Sequence, residues 1–146
     1  MATKILVVED DIDFLQFLQV VLEKEEFLPQ LASSAQAAQR WLDEPGAEPD
    51  LILLDIGLSD PTMDGLDFCL ALKRSGVTHH IPVVILTGQS QNSASIRAAV
   101  TKADLILHKP IEPEALLAAI RLQLEPPGRL AAADQGVLTG PVRSRT

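Results

Sequence analysis

The 146-residue chain is 47% hydrophobic and 22% charged, with twelve Lys and Arg against twenty Asp and Glu. That length and apolar fraction predict one domain with a substantial core, while a net charge of −8 excludes a basic surface that grips nucleic acid through its phosphates. Residues 1–124 hold nine basic and eighteen acidic groups, so the acidity belongs to the domain and not to a tail.

In chain order, the first element is the apolar run Ile5-Leu-Val-Val8, which lacks alternation, as a strand covered on both faces must. A helix follows over Ile12–Lys24, where Phe14, Leu15, Leu18, Val21 and Leu22 recur at three- and four-residue spacing and leave Asp13, Gln16, Gln19 and Glu23 for water. Leu28–Ala32 is a weaker strand, and Pro29 within it argues for a sheet edge. The spacing of Ala38, Trp41 and Leu42 predicts a helix over Ala35–Leu42 with Trp41 at the core or its edge. Leu51-Ile-Leu-Leu54 is the next buried strand and Gly65–Arg74 the next helix, in which Cys69 reads as a buried, inert thiol. Val83-Val-Ile-Leu86 and Leu105-Ile-Leu107 read as further central parallel strands, separated by a helix over residues 93–102 and followed by one over residues 112–124. Such alternation predicts a parallel sheet with helices on both sides, because each parallel crossover needs a connecting segment that a helix supplies. Residues 125–146, opened by Pro126-Pro127-Gly128 and interrupted again at Gly136, Gly140 and Pro141, read as a linker or loose extension.

A single cysteine excludes an internal disulfide and a Cys-based zinc site within one chain, and fits a reducing compartment. The N-terminus lacks the charge order and apolar length of a signal peptide, and the longest apolar stretch, residues 115–120, is far too short for a bilayer. The expectation is a soluble cytoplasmic protein.

Ligands of open parallel sheets gather beyond the carboxyl ends of the strands. There the chain carries Glu9-Asp10-Asp11, Asp55, Thr87-Gly88 and His108-Lys109-Pro110. Each has an ordinary explanation: acids cap helices and favour their N-termini, a threonine can end a strand, and a loop lysine can be solvated. Together they would bring carboxylates, a hydroxyl and an ammonium to one edge. Oxygen ligands with room for water suit Mg²⁺, and the lysine and hydroxyl suit an anion beside it, which points to phosphoryl transfer. His79 and His80 show no metal-ligand spacing and read as a solvated loop, with His108 at the surface.

The segments Ile5-Leu-Val-Val-Glu-Asp-Asp11, Leu51-Ile-Leu-Leu-Asp55, Met63-Asp-Gly65, Ile85-Leu-Thr-Gly88 and Lys109-Pro110, in this order and spacing, resemble the receiver domain of bacterial two-component response regulators over about residues 3–124. The resemblance implies a flavodoxin-like α/β fold, a five-stranded parallel sheet of order 2-1-3-4-5 sandwiched by five helices. It also implies a receiver domain over residues 1–124. In that family's terms Asp55 is the phosphoacceptor, taking phosphate from the phosphohistidine of a sensor histidine kinase or phosphotransfer protein. Glu9, Asp10, Asp55 and the backbone carbonyl of Gly57 would hold Mg²⁺, Thr87 would bond a phosphoryl oxygen, and Lys109 would pair with the charge. The peptide bond before Pro110 is expected to be cis. The chain would be a switch catalysing only its own phosphoryl transfer and dephosphorylation, acting on an output protein the sequence does not name, without direct contact to nucleic acid or membrane and with a homodimer open.

Four positions depart from the pattern. Glu9 stands where Asp is commoner. The loop from Gly57 to Met63 is about two residues longer than usual, which could bring Asp60 or Thr62 to the rim of the site. Ile106 replaces the family's switch aromatic, and the chain has no Tyr. Gly88 replaces the usual Ala, while Gly57 and Gln89 occupy the positions that govern water access to the phosphoaspartate. The departures keep one alternative open: a pseudo-receiver that acts as an adaptor without phosphorylation. A haloacid-dehalogenase-type phosphatase would need an acid where Gly57 stands, and a dinucleotide binder would need a glycine-rich loop where Glu9 and Asp10 stand.

Overall fold

The computed structural model describes residues 2–59, 63–88 and 103–125. Five parallel strands, β1 (Lys4–Val8), β2 (Leu28–Ala32), β3 (Leu51–Asp55), β4 (Val83–Thr87) and β5 (Leu105–His108), form one sheet in the order β2-β1-β3-β4-β5. Four helices are described: α1 (Ile12–Lys24), α2 (Ala35–Leu42), α3 (Gly65–Arg74) and α4 (Pro113–Leu124). The expected fold class is therefore observed. The helix expected over residues 93–102, the extension beyond residue 125, and Asp60, Thr62 and Gln89 lie outside the described residues.

Alternate residues of each strand point to opposite faces, and both faces are apolar here. Leu6, Val8, Ile52, Leu54, Val83 and Ile85 pack with Ala35 and Ala38 of α2 and Phe68, Cys69 and Leu72 of α3. Ile5, Val7, Leu51, Leu53, Val84 and Leu86 pack with Leu15, Leu18 and Leu22 of α1 and Leu116 and Ile120 of α4. That two-sided cover explains why the runs show no alternation. Trp41 sits at the edge of the first cluster as expected, and burial pushes the Cys69 thiol up to about 11, consistent with an inert core residue.

The edges differ in one respect from expectation. β2 is an edge strand, as Pro29 suggested, but the run at residues 105–107 is the opposite edge and not a central strand. Its residues are half-buried, Leu105 and Leu107 against one cluster and Ile106 against the other. An unbroken apolar run thus reports cover above and below a strand, and carries no information about a neighbour alongside.

Local chemistry sets the helix ends. The Asp11 carboxylate accepts the Asp13 and Phe14 N–H groups at the start of α1, Ser34 accepts that of Ala37 in α2, and Asp64 that of Asp67 in α3. Beyond α1, Glu26 N–H bonds the Glu23 carbonyl and Phe27 N–H the Leu22 carbonyl, a closure that places Glu26 at φ 68°. At the far end of the sheet, Lys73 ties α3 to the strands beneath it. It pairs with Asp104 at 2.8 Å and donates to the Ile81 carbonyl at 2.8 Å, and Asp104 in turn accepts the Val83 N–H.

Candidate functional site

Parallel pairing brings every strand's carboxyl end to one edge. Asp55 is the last residue of β3 and Thr87 the last of β4, while Glu9 and Lys109 directly follow β1 and β5. Glu9, Asp55 and Thr87 each lie one residue beyond the apolar run that predicted the strand, and Lys109 lies two beyond its own.

Glu9 is fully buried and Asp55 6% exposed, and both face the Lys109 ammonium. Its Nζ lies 3.0 Å from Glu9 Oε1 and 3.3 Å from Asp55 Oδ2. The second Asp55 oxygen accepts the Gly57 N–H at 2.8 Å, and the second Glu9 oxygen accepts the Asp11 N–H at 3.1 Å. Thr87 is fully buried, and its carbonyl accepts the Lys109 N–H at 2.7 Å, which fixes the start of the Lys109 loop against β4. The Lys109–Pro110 peptide bond is cis, as expected. The ammonium also lies over the Phe14 ring, 4.4 Å from its centroid, so α1 supplies an aromatic face to the same cation.

A buried carboxyl beside a second carboxylate resists ionisation. Burial, and next the proximity of Asp55, push the Glu9 carboxyl up from 4.5 to about 7, against the opposing pull of the Asp11 N–H and Lys109. Burial alone would lower the Lys109 value, but the bond to Glu9 and the charge of Asp55 outweigh it and the net shift is upward. Asp10 moves the other way. Burial is the largest single influence and opposes its ionisation, but the Ser59 hydroxyl and N–H, with the Lys109 charge, together outweigh it and hold the carboxyl below the usual range.

Carboxylate oxygens of Glu9, Asp10 and Asp55 lie within 4.8 Å of one another. Oxygens on opposite sides of an octahedral Mg²⁺ stand about 4.2 Å apart, so this all-oxygen set fits that ion with a small contraction. Asp11, which shares the acidic run, is spent instead on capping α1. For Asp11 the ordinary explanation, helix capping, holds.

Three features were not legible in the residues. Among the described residues of the loop after β3, Ser59 reaches across to Asp10, and its N–H and hydroxyl meet Asp10 Oδ2 at 2.9 and 2.7 Å. Phe14 fits the apolar spacing of α1, which concealed its contact with Lys109. Gly65 permits a close approach: a Cβ there would lie 2.5 Å from the Asp55 carbonyl oxygen and 2.9 Å from the Ile56 carbonyl carbon. Gly88 is different, since an added Cβ would meet Lys109 only at 3.9 Å, an ordinary contact. His79, His80 and His108 are exposed, as expected.

A family model described as the response regulator receiver domain matches residues 5–121. The phosphate regulon transcriptional regulatory protein PhoB of Klebsiella pneumoniae is 41% identical over 121 residues, covering 83% of this chain and 51% of that protein. The DNA-binding response regulator MtrA of Mycobacterium leprae is 34% identical over 140 residues, covering 92% of this chain and 59% of its own length. This chain therefore spans about half the length of the curated relatives it matches. Among solved structures, a receiver domain protein from Clostridium thermocellum superposes with a TM-score of 0.73 at 30% identity, covering 84% of this chain and 94% of that one. A CheY-like receiver domain protein from Methanospirillum hungatei gives 0.75 at 25% identity, with 85% and 94% covered. The sheet order, the acids and lysine at its carboxyl edge, and these matches agree: the chain belongs to the receiver domain family of two-component response regulators.

Proposed function

We propose that this domain is a phosphoacceptor switch, phosphorylated on Asp55 by a histidine kinase or phosphotransfer protein. The observation that carries the reading is the setting of Asp55 at the strand ends, held by the Lys109 ammonium and the Gly57 N–H beside two further acids. An Asp55 oxygen attacks the phosphorus of a phosphohistidine. The O–P bond forms as the N–P bond breaks, and the bonding pair returns to the imidazole nitrogen, which then takes up a proton. Lys109 balances the charge carried by the phosphoryl oxygens, and the Thr87 hydroxyl belongs to the same edge. Glu9, Asp10 and Asp55, with the Gly57 carbonyl, would hold Mg²⁺, which when bound neutralises phosphoryl charge. The domain acts on its own side chain and turns over no separate substrate beyond its phosphodonor.

Relatives carry names of transcriptional and DNA-binding regulators, but nine basic against eighteen acidic groups in residues 1–124 give this domain no electrostatic claim on DNA. Its output is a protein contact that phosphorylation biases between two arrangements. No helix among the described residues is long and apolar enough to cross a membrane, and a cytoplasmic setting matches a kinase donor. One observation favours a second reading, the phosphorylation-independent adaptor: the switch aromatic is replaced by Ile106, half-buried against the core.

The test is incubation with acetyl phosphate and Mg²⁺, followed by intact-protein mass spectrometry. The parent gains one phosphoryl group and Asp55→Asn gains none. Labelling of Asp55→Asn at the parent's level refutes the assignment, and an unlabelled parent, with either acetyl phosphate or a phosphorylated kinase, selects the adaptor.

A further inference from the structure

Resting on the reading of Glu9, Asp10 and Asp55 as a Mg²⁺ site, we propose that Ser59 is a positioning residue that sets Asp10 for the metal. Ser59 lies four residues beyond Asp55, on the loop leaving β3, and reaches across to the end of β1. Its backbone N–H and its hydroxyl both donate to the same atom, Asp10 Oδ2, at 2.9 and 2.7 Å. Among the three acids, Glu9 and Asp55 are oriented by Lys109 and by the N–H groups of Asp11 and Gly57. Asp10 is more exposed than either, and among the described residues the side chain that holds it is that of Ser59.

The stalk that carries Ser59 is itself held. Ile56 donates its N–H to the Leu86 carbonyl at 3.2 Å, and the side chains of Ile56 and Leu58 are buried at 6% and 7% exposure in the cluster under α2 and α3. Two donors on a fixed loop therefore pin one carboxylate oxygen. With both lone-pair directions of Oδ2 engaged, Oδ1 is the oxygen left for a cation, which makes Asp10 a one-oxygen ligand of fixed direction. Outer groups that hold a metal-bound carboxylate in this way typically raise affinity 10–100-fold, because the ligand need not be ordered when the ion arrives. The grip also joins the segment that ends in Asp10 to the segment that carries Asp55, so both move as one edge.

The experiment is calorimetric titration of Mg²⁺ into the metal-free full chain, its Ser59→Ala and its Ser59→Thr. Removing the hydroxyl while keeping the N–H weakens Mg²⁺ binding about tenfold, whereas Ser59→Thr binds as the parent does. Thermal melting in EDTA is the same for all three, which separates positioning of a ligand from support of the fold. Unchanged or tighter Mg²⁺ binding by Ser59→Ala overturns the proposal, since a hydroxyl that merely competes with the ion would be released. Asp55 labelling at saturating Mg²⁺ keeps the two levels apart: a labelled Ser59→Ala with parental affinity rejects the positioning role alone. A parent that binds no Mg²⁺ rejects this role together with the metal site.

Discussion

In metal-free protein, Glu9→Gln stabilises the fold, and the gain grows as pH rises. The folded Glu9 carboxyl titrates at about 7, against an ordinary value of 4.5. Between those values the folded protein retains a proton that the unfolded chain has released. A group raised on folding contributes its stability fully below the unfolded value and loses it as pH climbs through the folded one. A shift from 4.5 to about 7 converts to about 3 kcal/mol at 1.36 kcal/mol per unit. The physical origin is the loss of hydration of a fully buried carboxylate that must share Lys109 with Asp55. Glutamine keeps the size of the side chain and removes the charge.

Urea unfolding in EDTA at a series of pH values measures the effect. The difference in stability between Glu9→Gln and the parent should be level below 4.5, climb across the interval to about 7, and level off at about 3 kcal/mol above it. Taking the difference cancels the groups common to both proteins. The two neighbours with shifted values act elsewhere: the Asp10 contribution is lost only as pH falls below 3.8, and that of Lys109 only as pH rises above 10.5. A difference curve that is flat between 4.5 and 7 would show that Glu9 is ionised throughout and would refute the account of the site as two carboxylates competing for one ammonium.

Two other perturbations test the scaffold. Gly65→Ala places a methyl group 2.5 Å from the Asp55 carbonyl oxygen, so α3 must move off the strand end that carries Asp55; we expect a loss of about 1–3 kcal/mol in urea unfolding, and a midpoint equal to the parent's contradicts the close approach. Glu26→Gly relieves a side chain held at φ 68° in the closure after α1 and should raise stability by about 1 kcal/mol; a lowered melting temperature would mean that the Glu26 side chain contributes more than its backbone conformation costs.

Much of this architecture is legible because a parallel sheet has two simple consequences. Covered strands read as unbroken apolar runs, and their carboxyl ends share one edge. Asp55, Thr87 and Lys109 could therefore be grouped while separated by up to 54 residues, since each follows or closes such a run. What stayed hidden depends on distance in space without a periodic signature. Ser59 meets Asp10 across 49 residues from an irregular loop, where a serine is commonplace. Phe14 satisfies the helical pattern of α1 whether or not it touches a cation. Gly65 was visible as part of Met63-Asp-Gly65, but the reason for it, the Asp55 and Ile56 backbone lying where a Cβ would be, exists only once α3 is docked. The edge position of β5 was hidden for a related reason, because side chains record the layers above and below a strand and its lateral partner is bonded through the backbone.

The same edge also explains why an acidic domain concentrates acid where it is hardest to keep. Glu9, Asp10 and Asp55 crowd within 4.8 Å, and among the described residues Lys109 is the cation that meets two of them. One ammonium cannot neutralise three carboxylates in a partly dry site, so the surplus must be met by a proton or by a further cation. In metal-free protein near neutrality the proton resides in part on Glu9, whose carboxyl is the one raised to about 7. Asp10, held anionic by Ser59, does not take it. On the proposed reading Mg²⁺ and that proton are alternative answers to one electrostatic excess, and phosphorylation of Asp55 adds further negative charge to the same balance. Lys109 then transmits the change, because its ammonium faces the acids while its backbone N–H is bonded to Thr87 at the end of β4. A charge placed on Asp55 is thereby felt directly by the strand end and loop that lie beside it.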